Sequence, residues 1–447
     1  MLVIQRKLAV VLVLVAASAM TPVGCVSQIG VDPPKAYMDA RMVLRRALDD
    51  QDGFTRANAI EALADTLGAQ SGPTFTQALA DPSPAVRFAA AMAVGDAQYA
   101  PAKDRLAKMA KDRLVEPDRR VMPGVIYAIF RLGDDSGAGD LYALLFDKEK
   151  EVRANAAMVM GRMQESSAIG PLQTRLAEEQ ESMVRLQIIE ALAILGEQAS
   201  ALTLEAYTKK TPFLDERLVA IPAMAKVRSA TAPLVLRELL DSRQAPRVRV
   251  SAAGALAMMG QYNDEGYKYC LEAVADPEGT ILAAAGRLAV TQMECSSLQR
   301  LAAISLGWMN NPEAVGALYP LLSKSDSGVR IAAAMSILRL LSAYQESLPP
   351  TVVAGPSQPQ TPAQPLTVGA TVRSPETQPV GKPLAGTQPA VGTKGLVVGT
   401  GRASSQPARP RPSEQPVASA PATQPAAKET DRSKAIKPVL KTSGGRD

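Results

Sequence analysis

The chain has no histidine among its 447 residues. That absence removes the side chain most used for proton transfer near neutral pH and the commonest metal ligand. A Ser–His or Cys–His nucleophile is therefore excluded. Cysteine is nearly as scarce. Three residues, Cys25, Cys270 and Cys295, are too few for a disulfide framework or a four-thiolate zinc site. Aromatics amount to 4%, with one tryptophan, which disfavours a sheet and leaves Ala, Leu, Val and Met to build closely packed helices. The sequence also lacks a phosphate-cradling glycine loop, metal-ligand spacing and a nucleophile elbow. It thus indicates no catalytic residue, no metal and no cofactor, and the chain reads as a non-enzyme.

The net charge of +5 is unevenly placed. Residues 346–447 carry twelve Lys/Arg and six Asp/Glu, and Arg6 and Lys7 stand near the N-terminus. The body between, 26–345, holds 35 basic and 38 acidic residues, so the overall basicity does not point to nucleic acid.

Arg6-Lys7 precede an uncharged apolar run, Leu8 to Ala17, too short for a membrane span. Charged start, apolar core and small residues predict an export signal over 1–24. Ala17-Ser18-Ala19 fits an ordinary cut, which would release a soluble periplasmic protein. Pro22-Val23-Gly24-Cys25 resembles a bacterial lipobox, with Pro22 where leucine is usual. That resemblance implies acylation of Cys25 and a lipoprotein on the periplasmic or outer face of a membrane. After export, Cys270 and Cys295 could pair, or pack as small apolar core residues.

Internal repetition decides the fold class. Val152-Arg153, Val184-Arg185, Glu216-Arg217 and Val248-Arg249 recur every 32 residues, and Val86-Arg87 and Val329-Arg330 extend the series. Val121-Met122 and Leu298-Gln299 keep the phase without the arginine. An Ala-rich helical stretch follows each pair. Glycine then comes at Gly95, Gly161 and Gly307, or at Gly133, Gly196 and Gly260, where it is expected to stop the helix. Val184, Ile188, Leu192 and Leu195, like Val248, Ala252, Ala255 and Met259, predict one buried stripe per helix. A shorter second helix follows, as in "AIGPLQTRLA" and "TAPLVLRELL", with Pro171 and Pro233 near the start.

These units resemble HEAT-like repeats of the short kind found in phycobilisome lyases, whose pattern is VRxxAAxALGxIG followed by AxPLxxL. The resemblance covers 51–345 and implies an all-α solenoid of stacked helix pairs. Nine layers at the usual helix spacing of 8–10 Å would extend about 80 Å as a curved rod. Residues 36–50 read as a leading helix, within a leader of 25–50, that covers the first repeat. The interval from 249 to 299 predicts an inserted or remodelled helix over 273–293. No second helix follows Val329–Tyr344, which leaves the last outer face to the tail or to a partner. From Glu346 the chain has no aromatic residue and 17 of the 34 prolines, so 346–447 is expected to be a disordered basic tail, a spacer or a loose contact for anionic lipid or cell-wall polymer.

Several of the repeated arginines Arg87, Arg153, Arg185, Arg217, Arg249 and Arg330 follow an acid, Asp81, Asp147, Glu149, Glu181 or Asp326, by four to six residues. That spacing predicts a ladder of ion pairs and hydrogen bonds between loops, a structural role. Twenty residues past the arginine phase stand Gln77, Tyr142, Gln173, Glu205, Arg237, Tyr269 and Tyr319. On the second helices they would form a stripe. Because second helices line the concave surface in HEAT-like solenoids, Tyr142, Gln173, Arg237, Tyr269 and Tyr319 are candidate partner contacts. The function expected is a membrane-anchored scaffold for another exported or membrane protein. Two alternatives come with the resemblance: an enzyme or accessory subunit like the bilin lyases, and a HEAT-like nucleic-acid binder. The missing chemistry, the near-neutral body and the export signal weigh against both.

Overall fold

The computed structural model describes residues 30–227, 229–285 and 289–342, and the described residues are all-α, with no strand. The expected export signal, the expected lipidation site at Cys25 and the tail 346–447 lie outside the described residues. The helices come in pairs, the first of each no longer than the second and in most pairs shorter. The pairs run α1 (Pro33–Ala47) with α2 (Gly53–Leu67), α3 (Gly72–Ala78) with α4 (Pro84–Ala97), and α5 (Lys103–Lys111) with α6 (Met122–Arg131). They continue with α7 (Asp140–Leu145) and α8 (Lys150–Met163), α9 (Ile169–Glu178) and α10 (Ser182–Ile194), and α11 (Gln198–Lys210) and α12 (Leu214–Lys226). After α13 (Ala232–Glu238) with α14 (Pro246–Met258), α15 (Asp264–Ala275) precedes an extra helix, α16 (Pro277–Ala285), and then α17 (Gln292–Trp308). The last pair is α18 (Ala314–Leu318) with α19 (Ser327–Leu340). The extra α16 is the insertion that the long sequence interval predicts.

The even-numbered helices to α14, then α17 and α19, pack side by side in sequence order, and α19 then packs on α2. The stack is therefore closed, and its first and last repeats touch. The odd-numbered short helices barely touch one another, as expected of an outer circle with the longer perimeter. The curved rod expected from the repeat count is instead a ring, and about 80 Å becomes its inner perimeter. A circle of that perimeter is roughly 25 Å across between opposite helix axes.

Closure corrects two expectations. α1 is not a cap on the first repeat alone. Its buried stripe, Ala36, Tyr37, Ala40, Leu44 and Ala47, packs mainly against α19 and only secondarily against α2. The last long helix therefore has its outer face covered by α1. The repeat is properly counted from the short helix, which makes nine complete pairs among the described residues. Polar contacts seal the seam. The Tyr319 hydroxyl donates to Asp39 at 2.6 Å and accepts from Lys35. Thr55 and Ser327 hydroxyls meet at 3.2 Å, and Arg339 pairs with Asp65.

The inner helices bury more than one stripe. In α4, Val86 and the whole run Phe88 to Gly95 are buried, and in α10 every residue from Ile188 to Ala193 is. Each inner helix has a neighbour on both sides and short helices behind, so small residues are needed all round. Leu195 and Met259, expected in the stripe, are only half-buried.

The two glycine offsets do different work. Gly133, Gly196 and Gly260 follow their helices at φ of 90°, 91° and 72°, the left-handed turn that glycine tolerates. Gly95, Gly161 and Gly307 instead lie within α4, α8 and α17, and Gln98, Gln164 and Asn310 take the left-handed position there. Their role is close approach: a Cβ on Gly161 would stand 2.9 Å from the Ala191 Cα of the neighbouring helix.

Candidate functional site

On one rim of the ring, the turn from each short helix to the next long one is held by the repeated arginine. Arg87 donates from Nη1 to the carbonyls of Asp81 and Pro82 at 2.8 and 3.1 Å, and its other nitrogens grip Glu116 at 2.6 and 2.8 Å. Arg153 repeats this with the carbonyls of Asp147 and Lys148, and with Glu179 at 2.7 and 2.9 Å. Arg185, Arg217, Arg249 and Arg330 keep the carbonyl half, bonding Leu176 and Glu179, Thr208, Leu240, and Lys324 and Ser325 respectively. The acids pair one repeat back: Asp81 takes Arg56, and Asp147 takes Arg119. Asp81 and Asp147, read from sequence as near neighbours of Arg87 and Arg153, offer those arginines only their carbonyls. Arg56 itself was missed, although it stands one repeat before Arg87. Where the arginine is lost, Gln299 donates to the Val274 carbonyl at 2.8 Å.

Burial alone would raise the Glu179 carboxyl, but the bonds from Arg153 and the Glu181 N–H outweigh it and hold the group at about 2. This network binds turn to turn, and its arginines are engaged chiefly by backbone carbonyls and neighbouring carboxylates.

The concave lining comes from positions five and nine residues past the arginine phase, one turn apart on each inner helix. Arg162 of α8 reaches Asp96 of α4 at 3.0 Å, past the intervening α6, which only the concave side allows. Between them the Tyr127 hydroxyl donates to Asp96 at 2.6 Å, and Arg162 stacks over its ring. Burial first, and the Asp96 bond second, push Tyr127 up to about 12. Lys226 pairs with Glu190 at 2.7 Å, and Arg339 lies 3.7 Å over the Trp308 ring while pairing with Asp65. Glu61 faces the same space. Burial raises its carboxyl to about 7, which Arg162 only partly offsets. The lining is thus charged but mostly paired with itself.

The proposed stripe sits elsewhere. The short helices form the outer circle, so Tyr142, Gln173, Arg237, Tyr269 and Tyr319 do not line the concave side. The shift has a plain cause: counted from the short helix, the arginine-bearing helix is the second of its repeat and is the one inside. Tyr142 and Gln173 are exposed, and the Tyr142 hydroxyl donates to the Ser167 carbonyl at 3.2 Å. Arg237 reaches Gln261 at 2.8 Å from an exposed position. Tyr269 is half-buried beneath Arg249, whose guanidinium lies 3.6 Å from the ring centre, and Tyr319 belongs to the seam. Cys270 and Cys295 are free, buried thiols, so the bridge between them is not formed. Burial pushes both thiols up, which leaves them packing groups rather than nucleophiles.

Large apolar side chains gather on the outer circle around Tyr142 and Arg237. Phe146, just beyond α7, is 42% exposed, Leu202 on α11 58% and Leu234 on α13 61%. With Tyr142 they fall on the repeats of α7, α11 and α13. These are three of the four outer helices from α7 to α13, with the exposed Gln173 of α9 between them, and apolar side chains grouped so on a folded surface suit contact with another macromolecule. Tyr142 and Arg237, expected from the sequence on the concave side, stand on the outer circle, whereas sequence reasoning missed Leu202 and Leu234, the latter three residues before Arg237.

The family model for HEAT repeats matches residues 40–122 and 140–225. These stretches are similar to HEAT repeats. Past residue 225 the helix pairs continue in the same order, with α16 inserted before α17. Among solved structures, human deoxyhypusine hydroxylase in complex with glycerol is similar at 16% identity and a TM-score of 0.33, covering 63% of this chain and 99% of that one. So loose a likeness says nothing of activity. No curated protein matches the chain. No helix among the described residues is long and apolar enough to cross a membrane, and no cluster there could hold a metal ion.

Proposed function

We propose that the protein is a non-catalytic scaffold that holds a partner protein on the outer face of the HEAT repeats from α7 to α13, and that an acylated Cys25 tethers it to a membrane. The exposed belt of Tyr142, Leu202, Leu234 and Arg237 carries this reading. The concave lining, in contrast, has most of its charges paired internally. Tyrosine and arginine beside aliphatic anchors suit a protein interface, and a HEAT ring offers such a surface on rigid helices. The tether is supported by position: α1 starts only eight residues after Cys25, on the rim opposite the arginine ladder. An acyl group there would leave the ladder rim and the outer belt accessible.

The test is crosslinking in intact cells, comparing the natural chain with Tyr142→Ala/Leu202→Ser/Leu234→Ser/Arg237→Ala. Recovery of the crosslinked partner should fall at least about tenfold, with far-UV circular dichroism unchanged. Cys25→Ser should move the protein out of the membrane fraction without altering the belt. Undiminished crosslinking in the fourfold variant would contradict the assignment of the surface.

A further inference from the structure

The rim that carries the start of α1 and the end of α19 also holds a cleft of about 480 Å³ beside Trp308. Tyr262, Trp308, Met309, Asn310 and Asn311 line it, together with the end of α14 at Ala257 and Gly260. Its lining is uncharged. Tyr262 is 51% exposed, Trp308 is half-buried, and Asn310 is exposed in the left-handed turn. The Trp308 indole N–H and the Asn310 amide have no hydrogen-bond partner among the described residues. Two aromatic faces with free amide-type donors form a surface suited to an extended backbone that keeps its own carbonyls free.

The chain itself supplies such a backbone close by. Arg339, in the last turn of α19, stacks on Trp308, so the C-terminal end of α19 lies beside this cleft. From Ser347 to Val372 the sequence has no charged residue, unlike the basic stretch beyond. Within it, "PSQPQTPAQP" places Pro356, Pro359, Pro362 and Pro365 three residues apart. A polyproline II helix has about three residues per turn and no internal hydrogen bonds, so those four prolines fall along one edge. Aromatic-lined grooves bind such edges because the ligand loses little entropy on docking. Reach is ample: fourteen residues separate Ser342 from Pro356, up to about 43 Å at polyproline rise, whereas neighbouring inner helices are about 10 Å apart.

The geometry points to an intramolecular ligand: the proline-spaced segment 356–365 occupies the Trp308–Tyr262 cleft. Trp308 is the one tryptophan in the chain, so its emission reads the cleft directly. The comparison is between the full chain and a full-length variant with all four prolines replaced by alanine, which leaves every repeat intact. Acrylamide quenching of Trp308 should rise at least about twofold in the variant, with a red-shifted emission. Adding a synthetic peptide of residues 353–368 to the variant should restore the protected emission saturably. A peptide of the same composition with the proline spacing scrambled should not. Tyr262→Ala in the full chain should expose Trp308 as the proline variant does. Equal quenching in both chains and no response to the peptide would overturn the assignment. So would protection produced only by a soluble neutral oligosaccharide, which would make the cleft a carbohydrate site.

Discussion

Leu44→Ala should lower the free energy of unfolding by about 2–5 kcal/mol, the usual cost of emptying a fully buried leucine site. In an open solenoid, a terminal helix with one neighbour gives way cheaply, and such a change would fray a single end. Here α1 lies between the first and last inner helices, so its loss uncovers both and breaks the ring at its seam. Urea denaturation followed by far-UV circular dichroism measures the change. Met42→Ala, on the same helix but 43% exposed, is the control and should shift stability by less than about 0.5 kcal/mol. Equal effects at both positions would mean that α1 does not pack as described.

Arg153→Met should cost about 3–5 kcal/mol by the same measurement, because it strands a carboxylate whose side chain is 1% exposed. Arg175 remains 3.3 Å from Glu179, which favours the lower end of that range. The double variant Arg153→Met/Glu179→Gln should recover part of the loss, since a neutral amide is cheaper to leave buried. The pH dependence has a definite sign. Glu179 is lowered from 4.5 to about 2 in the folded protein, so it binds fewer protons folded than unfolded between those values. Its contribution to stability is complete above about 4.5 and is lost as pH falls toward 2. The difference between natural chain and Arg153→Met should therefore narrow across that window. A difference independent of pH would show that packing of the arginine stem, not the ion pair, is what matters.

The helix content, the approximate repeat and the extra helix before α17 were legible in the sequence because they rest on local spacing. Val-Arg pairs, Ala-rich runs and turn prolines each act within one repeat. The frame was not legible. A periodic pattern reads equally well from the long helix or from the short one, and only the packing of α1 on α19 decides between them. That one ambiguity displaced Tyr142, Gln173 and Arg237 from the outer circle to the concave side. Closure was hidden for a related reason. Each of nine repeats need turn only about 40° to complete a circle, and a rotation of that size is set by side-chain volumes across interfaces rather than by any motif. The glycines show the same limit. Gly161 and Gly196 look alike in the pattern, yet one lets Ala191 approach and the other carries a left-handed turn.

The ion-pair partners show how far local spacing carries. An acid a few residues before several of the arginines was visible, but Asp81 and Asp147 pair with the arginine of the preceding repeat. Distance in sequence misleads because the turns of adjacent repeats stack directly on one another. Leu202 and Leu234 escaped notice because a lone apolar residue on a short amphipathic helix reads as core. Only the outer position of α11 and α13 exposes them.

Closure of the ring is tested most directly by a disulfide across its seam. The Thr55 and Ser327 hydroxyl oxygens lie 3.2 Å apart although the residues are 272 positions apart in sequence. In a Thr55→Cys/Ser327→Cys chain, mild oxidation of the folded monomer should link the two peptides nearly completely, as read by mass spectrometry of the digest. Recovery of both peptides unlinked, from monomer with normal helix content and reactive thiols at both positions, would contradict a closed ring.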